Sequence, residues 1–119
     1  VADALRDYAV RLVLATHPGG ELGPGDPWID RVVAEGASPR AGQALMAAAR
    51  VQALVDGRHA ASIDDVRRVA APVLRHRIMP SFEAETDGVD GDAIVARLLE
   101  RVPRTEAGWT GEPRAGRDE

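Results

Sequence analysis

Residues 39–56, Pro-Arg-Ala-Gly-Gln-Ala-Leu-Met-Ala-Ala-Ala-Arg-Val-Gln-Ala-Leu-Val-Asp, leave the backbone little choice but to form a helix. Alanine, leucine, methionine, glutamine and arginine are the strongest helix formers, and they fill most of this stretch. Its ends are punctuated. Gly36-Ala37-Ser38-Pro39-Arg40-Ala41 opens it, with Ser38 as a good N-cap and Pro39 suited to the first helical position. Gly57 follows as a good C′ residue. Ala41, Ala44, Leu45, Ala48, Gln52 and Val55 fall on one stripe, and so many alanines predict a close approach between helices. Arg40 sits in the first turn, on a rigid start whose backbone favours anions. A fixed guanidinium there is well built to meet a phosphate. The plain alternative is a surface arginine after an ordinary cap.

The other apolar repeats are helical too, so the chain reads as all-α, a small bundle of four main helices. Val1, Leu5, Tyr8, Ala9, Leu12, Val13 and Thr16 recur at helical spacing, with Asp3, Arg6, Asp7 and Arg11 on the other faces. From Pro18 to Pro27 lie four glycines and three prolines, which predict a long loop after the first helix, extending to Glu35. Within it Trp28 to Ala34 form an apolar piece of about one helical turn, with Trp28 as the anchor to the core. Arg58 to Ala61 are a short extended link. Ser62 caps a third helix, Asp65 stands in a capping-box position, and Ile63, Val66, Val69, Ala70, Val73 and Leu74 face inward. Pro72 is expected to kink or split that helix, and Pro80 to stop it. Ser81 to Asp90 read as acidic and flexible. A final helix spans Gly91 to Val102, with Ile94, Val95, Leu98, Leu99 and Val102 inward. Residues 1–103 thus form one domain, and 104–119, rich in Gly, Arg, Pro and acids, read as a disordered tail.

Several chemistries are excluded or disfavoured. All fifteen basic residues are arginine. Without lysine there is no phosphate-binding P-loop, no Schiff base and no Ser-Lys pair. Without cysteine there is no disulfide or thiolate metal site, which fits a reducing compartment. His17, His59 and His76 stand apart, with no i,i+4 pair, so no metal is expected. The net charge of −4 argues against nucleic acid. No apolar stretch reaches the ~20 residues of a membrane span, and no signal peptide is visible. The chain begins with Val in a helical pattern and is expected to be part of something longer, located in the cytoplasm.

In order, the segments are a helix ending Ala15-Thr16, a loop, Gly36-Ala37-Ser38-Pro39-Arg40-Ala41, an alanine-rich helix and Gly57-Arg58. Ser62-Ile63-Asp64-Asp65-Val66, Val73-Leu74-Arg75-His76-Arg77-Ile78 and Leu98-Leu99-Glu100-Arg101-Val102-Pro103 complete the series. Together these resemble the C-terminal lid domain of MoxR-family AAA+ ATPases. The resemblance implies that Arg40 is the sensor 2 arginine, which reaches the γ-phosphate of ATP held by an upstream α/β domain. It implies that Pro39 packs near the adenine. ATP and Mg, the Walker motifs and the arginine finger would belong to that upstream core, so this chain alone would not be an enzyme. The partners implied are the core, neighbouring subunits of a ring and von Willebrand factor A-type proteins. The family's work is chaperone-like remodelling, in which enzymes and complexes mature, sometimes by metal insertion. Two departures stand out: the family commonly has Thr-Arg where this chain has Thr16-His17, and the loop from Pro18 to Glu35 is longer than usual. The alternative reading is a stand-alone helical interaction module that binds a partner through Arg67, Arg68, Arg75 and Arg77. A DNA-binding domain comes third.

Overall fold

Four long helices carry the core in the computed structural model, which describes residues 2–18 and 26–104. They are α1 (Ala2–Ala15), α3 (Arg40–Val55), α4 (Ile63–Leu74) and α6 (Gly91–Arg101). Two six-residue helices, α2 (Pro27–Val32) and α5 (Phe82–Asp87), and a short antiparallel ladder of β1 (Val33–Glu35) with β2 (Met79–Pro80) fill one side. Helix α2 matches the single turn expected near Trp28, while α5 and the two strands were not expected; each has a local cause. Asp26 caps α2 by accepting from the Trp28 N–H, and Pro27 starts the helix. Ser81 caps α5, whose end is set by Gly88 at φ +74°. The acidic segment, expected to be flexible, therefore contains a capped helix whose Ala84 is fully buried. The ladder is too short to show a strand pattern of its own; it forms because α2 and the turn after α4 bring two extended pieces side by side.

Helix α3 packs against both α1 and α4, and α6 lies against α4. The buried side chains of α3 are Ala41, Leu45, Ala49 and Ala53, one every four residues. Small side chains at this spacing let the neighbouring helices approach closely. The expected stripe was rotated: Ala44, Ala48 and Gln52 are half-buried, and Val55 is 75% exposed. Tyr8 and Leu12 from α1, Leu45, Leu74, and Ile94 and Leu98 from α6 fill the centre, all fully buried. Of the helix expected to end at Pro80, the last residue is Leu74; a turn and β2 follow. Pro72 does not split α4, which runs unbroken through it. Near a helix end its missing N–H and ring cost little that the packed face does not offset.

Ionic contacts fix the periphery. Helix α4 begins with a full capping box, in which Ser62 and Asp65 exchange hydrogen bonds. Asp65 is 1% exposed and accepts from both terminal nitrogens of Arg58, at 2.7 and 2.6 Å. Those bonds outweigh the cost of burial and hold its carboxyl well below the usual carboxylate range. Arg58 is in place because α3 ends in a Schellman turn. Gly57, at φ +82°, lets the Arg58 N–H reach the Ala53 carbonyl. Asp26 similarly gathers Arg97 and Arg101, and Arg97 stacks over Trp28 at 5.3 Å. Trp28 is the expected anchor, half-buried against the core. Arg11 is not on an outer face. It is 6% exposed, lies over Tyr8 and donates to the carbonyls of Pro103 and Arg104. Arg104, assigned to the tail, is thus held, and it also pairs with Asp64. The remaining tail residues and most of the expected glycine-rich loop lie outside the described residues.

Candidate functional site: the start of helix α3

Arg40 is the first residue of α3, and Pro39 precedes it with helical backbone angles, φ −57° and ψ −26°. Both are exposed. The expected hydroxyl cap is not made. The first turn instead closes through backbone carbonyls, with Ala41 N–H donating to Ser38 C=O at 2.9 Å and Gly42 N–H to Pro39 C=O at 3.1 Å. Pro39 has the helical angles expected of a first-turn residue, although the regular helix begins at Arg40. The first turn of α3 contains no acidic residue. Every other long helix start has at least one: Asp3 on α1, Asp64 and Asp65 on α4, and Asp92 on α6. A helix N-terminus carries partial positive charge, and here only a further cation is added to it.

The guanidinium of Arg40 has no partner among the described residues, which sets it apart from most arginines of this chain. Arg6, Arg31, Arg58, Arg68, Arg75, Arg97, Arg101 and Arg104 are ion-paired. Arg11 and Arg67 donate to carbonyls, and Arg67 also to the Tyr8 hydroxyl. Among the described arginines Arg40 shares its freedom only with Arg50, further along α3, and Arg77 in the turn after α4. The surface of Arg67, Arg68, Arg75 and Arg77 is therefore not a free basic patch. Three of the four have partners within the chain: Arg67 donates to Tyr8 and Leu99 in a part-buried site, and Arg68 and Arg75 form exposed ion pairs with Asp56 and Asp92.

The segment leading to Arg40 is held by the end of α1. Thr16 Oγ1 accepts from the Ala37 N–H at 2.9 Å and donates to the Val13 carbonyl at 2.6 Å. His17 Nε2 donates to the Ala37 carbonyl at 2.8 Å. Gly36 lies against these two residues so closely that a Cβ would stand 2.8 Å from His17 Cγ, the Thr16 carbonyl oxygen and Thr16 Oγ1. Sequence reasoning missed this grip. Its partners are twenty residues apart, and the one signal available was a glycine outside any turn. On its other side Gly36 lines an open groove of about 400 Å³ with Glu35, Arg77, Met79 and Pro80.

An exposed, unpaired arginine on a rigid helix start can bind an anion brought by another surface, but it cannot enclose one. A model of the AAA lid domain matches residues 28–98, the stretch that contains this helix and α4, one of the two long helices packed on it. The chain belongs to the AAA lid domain family. The lid is 42% identical over 102 residues to Chaperone MoxR1 of Mycobacterium tuberculosis, covering 86% of this chain and 26% of that one. It is 38% identical over 101 residues to Protein MoxR of Paracoccus denitrificans, covering 82% and 28%. A crystal structure of a Cytophaga hutchinsonii protein titled as an ATPase has the same fold, with a TM-score of 0.77 and 31% identity, over 85% of this chain and 30% of that one. The lid thus spans between a quarter and a third of these longer proteins.

Among the described residues no cluster of three or more His, Cys, Asp or Glu could hold a metal ion. No helix among them is long and apolar enough to cross a membrane.

Proposed function

We propose that this lid completes an ATP site whose larger part lies on an AAA+ core in the same parent protein, with Arg40 as the sensor 2 residue. The observation that carries the reading is the unpaired guanidinium on an acid-free helix start, in a chain whose arginines are otherwise mostly engaged. A planar, permanently charged fork gains two charge-assisted hydrogen bonds when a terminal phosphate is present and loses them when it leaves. The lid then favours one orientation on ATP and another after hydrolysis, a population shift driven by one contact. Pro39, exposed beside Arg40, would lie against the adenine; its fixed φ and exposure support this. Mg and the phosphate cradle belong to the core, because a lysine-free chain cannot build the cradle. On its own the lid would bind nucleotide poorly and hydrolyse none.

Lid motion would serve the remodelling or maturation of client proteins in the cytoplasm, in a ring of subunits and with von Willebrand factor A-type partners. The similarity to proteins named chaperone and MoxR supports that setting. Val51, Leu54 and Val55, 59%, 66% and 75% exposed, form an apolar patch at the end of α3 away from Arg40. A subunit contact there would leave the arginine free for nucleotide. The alternative, a stand-alone interaction module, has lost most of its arginine surface to internal pairs.

The test is the turnover of the parent ATPase carrying Arg40→Ala. Loss of a charge-assisted contact to the transferring phosphate lowers turnover by roughly tenfold or more, with the lid still folded by circular dichroism. Unchanged turnover and ATP affinity would remove the assignment.

A further inference from the structure

We infer that Thr16 and His17 are positioning residues for Arg40, gripping the Ala37 peptide from both sides and so fixing where α3 begins. This rests on the reading of Arg40 as a γ-phosphate contact. The hydroxyl of fully buried Thr16 uses its proton on the Val13 carbonyl and a lone pair on the Ala37 N–H. The first bond fixes the hydroxyl on the end of α1, and the second ties the segment before α3 to it. The imidazole supplies the second jaw, donating Nε2–H to the carbonyl of the same alanine. An arginine in place of His17 could donate to that carbonyl as well.

Little slack separates the grip from the arginine. Ala37 is fully buried, Ser38 closes a turn onto Ala41, and Pro39 has its φ locked. Gly36 admits no side chain between the strand β1 and the end of α1. Among the described residues Arg40 has no partner to hold its guanidinium, so the position of its Cα decides what the fork can reach. A displacement of about 1 Å at such a base is enough to lose an aligned contact. The same hydrogen bonds make the end of α1 move with the start of α3, which couples the orientation of α1 to the presence of the phosphate.

The experiment compares five variants of the parent ATPase: Arg40→Ala, Thr16→Val, Thr16→Ser, His17→Ala and the double variant Arg40→Ala/Thr16→Val. Affinities for a non-hydrolysable ATP analogue and for ADP are measured for each, together with deuterium exchange at the Ala37 amide. Thr16→Val keeps the shape and removes the bridge. It is expected to lower the preference for the ATP analogue over ADP about tenfold, with ADP affinity unchanged, and to speed Ala37 exchange about tenfold. Thr16→Ser restores both. In the Arg40→Ala background Thr16→Val has no further effect on the preference, because nothing is left to position. His17→Ala, on an exposed ring, provides a second route to the same loss if the valine variant folds poorly. If Arg40→Ala abolishes the preference while Thr16→Val and His17→Ala leave it at the wild-type level, the positioning role is wrong and the sensor reading stands. If Arg40→Ala itself changes nothing, both are wrong.

Discussion

Gly36 and Gly42 sit six residues apart on either side of Arg40, and the structure gives their replacement by alanine opposite signs. At Gly36 a Cβ would meet three atoms at 2.8 Å, roughly half an ångström inside an ordinary C···O approach of about 3.3 Å. One is the Thr16 carbonyl oxygen and another is Oγ1 of the same residue, already committed to two hydrogen bonds. None is the loose end of a side chain, so β1 and the end of α1 must separate. Overpacking of this kind costs about 1–3 kcal/mol. For a domain of this size that lowers the melting temperature by roughly 5–20 °C. At Gly42, inside α3, the nearest atom is Val13 Cγ2 at 3.9 Å, an ordinary contact. There alanine contributes only its helix propensity, a gain of about 0.5–1 kcal/mol and a rise of a few degrees. Thermal unfolding of this chain followed by far-ultraviolet circular dichroism reads both. A Gly36→Ala variant as stable as wild type, or a Gly42→Ala variant that melts lower, would show that the grip on the segment before Arg40 is not as close as described.

Leu45 is fully buried on α3 between α1 and α4, and Leu45→Ala is expected to cost about 3–5 kcal/mol. A shift of the urea midpoint worth less than about 1 kcal/mol would mean a looser core. Asp65, held down by Arg58, and Asp26, held down by Arg97, both have folded-state values below the ordinary 3.8. Their contribution is therefore complete above pH 3.8 and is lost as the pH falls from there through the lowered values. Denaturant midpoints should fall steeply in that acid window, and Asp65→Asn should flatten the fall; an unchanged acid slope in that variant would contradict the pairing. Val55→Ser, at a position 75% exposed, should leave the lid's stability within about 0.5 kcal/mol of wild type. In the parent protein the same change should weaken subunit assembly by sedimentation, and intact assembly would remove the patch as a ring contact.

The long helices were legible because their burial repeats every three or four residues and their ends carry strong punctuation. Ser62 with Asp65, and Gly57, did locally what their residue types favour. Arg40 was legible for the same reason, as the first side chain after a proline in a helix-forming run. What sequence did not reveal lay at longer range or at smaller scale. Arg11 looked like an outer-face residue because its partners are the carbonyls of Pro103 and Arg104, more than ninety residues away. The acidic run from Ser81 to Asp90 looked unstructured by charge, although Ser81 and Gly88 bracket a helix of six residues. The rotation of the α3 stripe follows from the same limit. With alanine at 41, 44, 48, 49 and 53, composition leaves the buried face undecided, and packing against α4 chooses 41, 45, 49 and 53. The grip of Thr16 and His17 on Ala37 belongs to the same class, a contact between two ends that no local rule joins.

The central claim is that Arg40 reads the terminal phosphate of ATP. It is tested most directly by the binding of ATP analogue and ADP to the parent ATPase with and without Arg40→Ala. Charge-assisted hydrogen bonds to one phosphate are worth about 1.5–3 kcal/mol, so affinity for the ATP analogue should fall roughly 10- to 150-fold while that for ADP stays the same. Equal loss for both nucleotides, or none for either, would contradict it.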